Sequence, residues 1–318
     1  MKRERLMLVI LVVVVPLMFA ASLSYFGPPA LAYLGQDSPT MTPKIFAPGV
    51  ISQKDVSEFG SVFNQEGTEL FYGVDLQGRS EIRYTYLKNG EWTKPVALLS
   101  DSLVSYNDPF LSPDEDQLYF ISNYSGEDQP PKSDYDMLYI KRGKKHWETK
   151  VYNVGPNINT DRDEYYMSFD ERGTVYFSSN FNASVHREHD FDIYASSVVD
   201  GDFQPSILLD EAINTNAYEA DVFVAPDASY ILFCGIRDNG YGQGDLYISF
   251  KDEHDNWTKA VNMGDDINTG FHELCPFVTK DGQYLFFTRN QDIYWVDADI
   301  IEKIRARLGR SLIIQNKS

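Results

Sequence analysis

Cysteine is nearly absent: the 318-residue chain has two, Cys234 and Cys275. That excludes a small disulfide-stapled scaffold, and two thiols so far apart form no zinc-binding spacing. Both lie in apolar strand patterns, which suit a buried free thiol and a bridge alike. Cations are scarce too, with 28 Lys and Arg against 47 Asp and Glu, a formal net charge of −19. Such a surface repels phosphate backbones and anionic headgroups, so nucleic acid is not an expected partner. Solubility is its ordinary consequence; a cationic partner or bound calcium is the sharper alternative. No Gly-x-Ser-x-Gly elbow or helical hydrolase segment is present, which removes a serine peptidase reading. The glycine-rich stretch Gly240-Tyr241-Gly242-Gln243-Gly244 lacks the strand-to-helix context of a phosphate loop. No useful helical periodicity appears before residue 299.

The N-terminus differs from all that follows. Met1 to Arg5 is basic, and Leu6 to Ala21 is apolar without a charge. A basic leader before an apolar stretch is an export signal. Either small-residue sites near Ala20 or Ala30 allow cleavage, or residues 6–26 remain as a single anchor helix. In both cases the body lies outside the cytoplasm, periplasmic or membrane-anchored, and touches the membrane only through that segment. The expected organisation is 1–27 signal peptide or anchor, 28–43 linker, 44–301 folded body, and 302–318 helical or flexible tail.

The body is organised by an internal repeat. Segments starting at Glu58, Glu164, Glu219 and Glu273 align without a gap over about a dozen residues, and one starting at Tyr106 fits the same frame. Each runs as an alternating strand into a turn such as Asp281-Gly282, then returns through an apolar strand such as Leu285-Phe286-Phe287. A polar loop follows, then a third strand that opens on Asp192-Ile193-Tyr194, Asp245-Leu246-Tyr247 or Asp292-Ile293-Tyr294. The fourth strand ends at Ile158-Asn159-Thr160, Ile213-Asn214-Thr215 or Ile267-Asn268-Thr269. Four short strands repeated about every fifty residues are what a propeller blade requires. The last repeat lacks its fourth strand, and residues 44–52 are expected to supply it and remove two open edges. The fold class is therefore all-β: a five-bladed β-propeller of four-stranded blades, closed by an N-terminal strand, with a short C-terminal helix.

The frame Glu-x-x-Pro-Phe-x-x-x-Asp-Gly-x-x-Leu-x-Phe, followed by Asp-Ile-Tyr and Ile-Asn-Thr, resembles the WD40-like "PD40" repeat of the TolB-like propellers. The resemblance covers residues 44–298. It implies a propeller of the cell envelope, in a family that contains interaction modules and accessory domains of peptidases. The α/β domain of TolB has no counterpart in this sequence. A second likeness, of architecture only, is to five-bladed glycoside hydrolases with carboxylates at the central mouth.

Inner strands that start where second strands end place Glu58, Glu164, Glu219 and Glu273 around one rim. As a catalytic set, two of them would serve as acid and base in glycosidic cleavage, and as a ring they would hold a sugar or calcium. As a repeated feature they serve each blade, accepting hydrogen bonds from loop amides. The expected ligand-binding rim adds Tyr106, Asn123, Asp163, Asn180, Arg237, His272 and Arg289, several of which break the repeat. His186, His189 and Asp190 in the third repeat are weak metal candidates, set against a solvated loop. The leading expectation is a non-catalytic module for an envelope protein or glycan, with no resident cofactor. A glycoside hydrolase and a calcium-stabilised scaffold are the alternatives.

Overall fold

The computed structural model describes residues 32–181, 190–238 and 240–315. Its strands form five blades, each an antiparallel sheet with the chain running outward from the axis. Blade 1 comprises Ser57–Phe63, Glu69–Asp75, Ser80–Lys88 and Val96–Leu99, with Glu91–Trp92 folding back on the third strand. Blade 2 comprises Tyr106–Leu111, Gln117–Ser122, Asp136–Lys141 and Tyr152–Asn153. Blade 3 comprises Glu164–Phe169, Val175–Ser179, Asp192–Ser196 and Ile207–Leu208. Blade 4 comprises Tyr218–Val224, Tyr230–Ile236, Asp245–Phe250 and Val261–Asn262. Blade 5 comprises Glu273–Val278, Tyr284–Arg289 and Asp292–Asp297, and its outer strand is Lys44–Ile45 from the start of the body.

That N-terminal strand closes the ring as the repeat count requires, pairing Lys44 with Trp295 and Ile45 with Tyr294. The seam is sealed by aromatic contacts: Phe46 meets Trp295 and Phe286 edge-on, with centroids 5.1 Å apart in each case, and Phe63 packs 5.1 Å from Phe286. Buried aromatic pairs of this kind add specific geometry to the area they remove from water. Tyr33 lies over the same seam, 4% exposed, with its hydroxyl donating to Asp281 at 2.8 Å. The helix Asp299–Gln315 follows blade 5 and buries Ile300, Ile301 and Ile304.

Every inner strand is broken by a β-bulge just after the second residue of its frame, with pairing resumed at the fifth in four blades and at the fourth in blade 3. The third residue of each frame adopts a left-handed backbone: Gly60 at φ 55°, Asp108 at 48°, Tyr166 at 37°, Asp221 at 53° and Cys275 at 52°. Only glycine enters this region freely, so the four other residues carry backbone strain that the ring imposes.

Candidate functional site: latches between blades and an axial ring

The recurring Ile-Asn-Thr and Glu form a latch. Asn214 accepts from the amide of Ile193 at 2.8 Å and donates to its carbonyl at 2.9 Å, fixing the outer loop to the third strand of its own blade. Asn159 grips Met137 and Asn268 grips Leu246 in the same way. The next residue crosses to the following blade. Thr215 donates its amide to Glu219 at 3.0 Å and its hydroxyl at 2.7 Å, and Thr160 does likewise to Glu164, and Thr269 to Glu273. These glutamates are fully buried, as buried carboxylates with several donors can be.

The latches differ in what completes them. Arg237 donates from Nε to Glu219 at 3.0 Å and caps the carbonyl of Ile213; Arg289 donates to Glu273 at 2.8 Å and caps Ile267. Both guanidiniums lie over aromatic rings, Arg237 on Tyr247 and Arg289 on Tyr294. Glu164 has no arginine but accepts from Ser179 at 3.2 Å, and burial raises its carboxyl to about 7. At the closing seam Ile51-Ser52-Gln53 stands where the loops before blades 3, 4 and 5 have Ile-Asn-Thr. Glu58 there accepts only the Gln53 amide, at 3.2 Å, and its Oε2 has no partner. Burial raises this carboxyl to about 7 as well. Tyr106 takes the glutamate position in blade 2, where the preceding loop lacks the motif, and it packs on Phe120 instead.

The remaining rim candidates brace loops. Asn123 accepts from the amide of Ser105 at 2.9 Å, and Asn180 from that of Asp163 at 2.9 Å, in matching positions of blades 2 and 3. Asp163 in turn accepts from the amide of Tyr135 at 3.1 Å. His272 holds Nε2 3.3 Å from Sγ of Cys234, and burial lowers its pKa. Asp190 is half-buried, and His186 and His189 lie outside the described residues. Among the described residues no group of three or more His, Cys, Asp or Glu is arranged to hold a metal ion.

A second set of residues, which the repeat reading passed over, lies on the ring axis. Tyr166 of blade 3 donates its hydroxyl to the carbonyl of Pro276 in blade 5 at 2.9 Å. Cys275 of blade 5 reaches Oδ1 of Asp108 in blade 2 at 3.8 Å. Blades 3 and 5, like blades 2 and 5, are not neighbours, so these contacts are possible only across the axis. The bulged third residues therefore form one axial layer: Gly60, Asp108, Tyr166, Asp221 and Cys275. Below it, Phe277 meets Phe110 at 6.0 Å and Phe223 at 5.9 Å, leaving a cavity of about 30 Å³. The axis is thus filled on that side, and the layer is the floor on the side of the mouth where the inner strands begin, with Asp108, Tyr166 and Cys275 themselves buried.

Two features of the floor bear on chemistry. Asp108 is 7% exposed and, among the described residues, has no donor beyond the weak Cys275 thiol; Asp221, half-buried, accepts from the Cys275 amide. Burial, reinforced by the Asp221 charge, raises Asp108 to about 8, and burial raises Asp221 to about 6. An aromatic chain runs through blades 2 to 4: Tyr135 to Tyr165 at 5.4 Å, Tyr165 to Phe191 at 5.4 Å, and Phe191 to Tyr218 at 5.7 Å. Burial pushes the Tyr165 and Tyr218 hydroxyls up, and both feel the charges of Asp108 and Asp221.

Among the described residues no helix is long and apolar enough to cross a membrane, and the N-terminal segment 1–27 lies outside them. No protein-family model matches the chain. No curated protein matches it. Among solved structures it is similar to TolB from Acinetobacter baumannii, at 12% identity and a TM-score of 0.48, over 76% of this chain and 54% of that one. The chain thus spans about half the length of that protein. It is also similar to a putative TolB from Agrobacterium tumefaciens, at 13% identity and a TM-score of 0.48, over 78% and 73% of the two chains. An oligogalacturonate lyase from Vibrio parahaemolyticus aligns at 12% identity with a TM-score of 0.40, over 80% and 68% of the two chains.

Proposed function

We propose that this chain is an exported, non-catalytic binding module of the cell envelope that receives a group of a protein or glycan partner at the open mouth. The observation that carries this reading is the axial layer. Residues that hold blades together repeat from blade to blade, whereas the floor mixes Gly, Tyr and Cys with two aspartates that have few donors. Acceptors short of donors favour a ligand that brings them, such as an amine or a hydroxyl group. The aromatic chain would pack against the ligand's apolar surface. The four latch glutamates, by contrast, already have donors from within the fold or lie sealed in a seam.

The test compares the full-length protein, in detergent, with its Asp108→Asn/Asp221→Asn double variant. Each is cross-linked in envelope extract and screened against a glycan panel. Ligands captured by the wild type and lost from the double variant support the reading, and identical capture by both rejects it.

A second reading, a glycoside hydrolase, is favoured by one observation. Asp108 and Asp221 titrate at about 8 and about 6, so near pH 7 one carboxyl holds its proton while the other is largely ionised. That is the division of labour an acid and a base require. New products from any glycan in the panel, read by mass spectrometry, would put this reading first.

A further inference from the structure

At the end of the blades opposite the open mouth, a groove of about 490 Å³ runs between blades 1 and 2. Tyr84, Tyr86, Val96 and Leu98 form one wall, and Lys144, Lys145 and His146 form the other. The floor is rigid: Arg142 donates to Glu69 from two nitrogens, at 3.1 and 2.9 Å, and its guanidinium lies 4.3 Å from the Trp147 ring centroid.

Three observations meet here. Residues 141–150 carry five cations, Lys141, Arg142, Lys144, Lys145 and Lys150, against the single carboxylate Glu148, in a chain whose net charge is −19. Lys141 and Lys150 lie over Tyr152, and Arg142 is held by Glu69, while Lys144 and Lys145 form no ion pair among the described residues. Next, Phe71, Tyr84 and Tyr86 stack as a ladder with centroids 4.7 and 5.1 Å apart, and Tyr86 ends it at the groove. Last, Trp147 lines the groove beneath the Arg142 guanidinium, with its indole nitrogen buried.

We propose that this groove binds a short anionic saccharide. A pyranose ring offers a flat C–H face to the tyrosine ladder, and its hydroxyl and carboxylate oxygens accept from Lys144 and Lys145. The volume lies within the roughly 300–1,000 Å³ of small-ligand sites. At physiological ionic strength the acidic remainder is screened beyond about 8 Å, so the local cations decide what binds. An acidic peptide has no need of a flat aromatic wall, and a lipid surface does not enter a groove. A long nucleic acid strand would lie along the acidic body.

The experiment is calorimetric titration of the full-length protein with a hexameric polyuronate and with a neutral glucose hexamer. The polyuronate is expected to bind at least about tenfold more tightly, with an affinity that falls as salt rises. Lys144→Ala/Lys145→Ala should weaken it about tenfold, while melting like the wild type because both side chains are exposed. Tyr86→Ala should weaken both hexamers. Four results would overturn the proposal: no polyuronate binding at millimolar concentration, equal affinity in the lysine variant, indifference to Tyr86, or equal binding of an acidic peptide or a single-stranded oligonucleotide.

Discussion

A methyl group on Gly60 would lie 2.9 Å from Oδ1 of Asp108, so these residues of blades 1 and 2 meet at the axis with no room between them. Gly60 also sits at φ 55°. Gly60→Ala therefore adds both a steric clash and a left-handed side-chain residue. The expected loss is about 1–3 kcal/mol, read from denaturant unfolding. A variant as stable as the wild type would mean that the axial layer is looser than these distances require.

The latches give a prediction of opposite signs at equivalent places. Thr215→Val keeps the shape of the side chain but removes a hydroxyl that donates to buried Glu219 at 2.7 Å. Leaving that acceptor short of a donor should cost about 1–2 kcal/mol. Gln53→Thr does the reverse at the closing seam, where Glu58 Oε2 has no partner. It should raise the melting temperature and bring the Glu58 carboxyl down towards its ordinary range. Melting curves of the two variants check both signs.

Much of this was legible in the sequence. Strand alternation, Asp-Gly turns and a fifty-residue period specify blades, and the missing fourth strand of the last repeat specifies the N-terminal closure observed at Lys44–Ile45. The latch glutamates were also visible, because they recur. Whether they faced solvent was not, since that depends on how the preceding loop lies against the next blade. The axial layer was hidden for a different reason. A period-two pattern assigns the third inner-strand residue the same side as the first and fifth, and the bulge changes that. Nothing in the local sequence of Asp108 or Asp221 announces a bulge. The strain is accepted because five inner strands crowd one axis.

Stability should depend on pH in a direction set by the raised carboxyls. Glu58 and Glu164 titrate at about 7, Asp108 at about 8 and Asp221 at about 6, whereas free carboxyls titrate near 4 in the unfolded chain. Between those values the folded state holds protons that the unfolded state has released. Stability therefore falls as pH rises from about 4 to about 8 and levels off above that range. Asp101 and Asp114 shift the other way, lowered first by a backbone and a hydroxyl donor respectively, so their contribution is lost on further acidification. Melting temperatures across pH 3–9 should peak on the acid side of neutrality. Asp108→Asn should flatten the alkaline end of that slope; an unchanged profile would remove Asp108 from the account.

The two cysteines close the set. Cys234 and Cys275 are both free and buried, at 0% and 2% exposure, and burial holds both thiols well above their ordinary range. A thiol reacts as its thiolate, so both should be inert while the ring is intact. Ellman's reagent should find no accessible thiol in the native protein and two in denaturant, without prior reduction. Reductant should leave the melting temperature unchanged, because no cross-link restrains the unfolded chain. Cys275 carries the sharper consequence, since it stands in the axial layer 3.8 Å from Asp108. Cys275→Ser places a hydroxyl, a better donor than a thiol, beside that carboxyl. The Asp108 pKa should then fall, and part of the pH dependence between 6 and 8 should go with it. Native labelling of Cys275 would instead mean that reagents reach the floor from the mouth, with the thiol itself open to ligand.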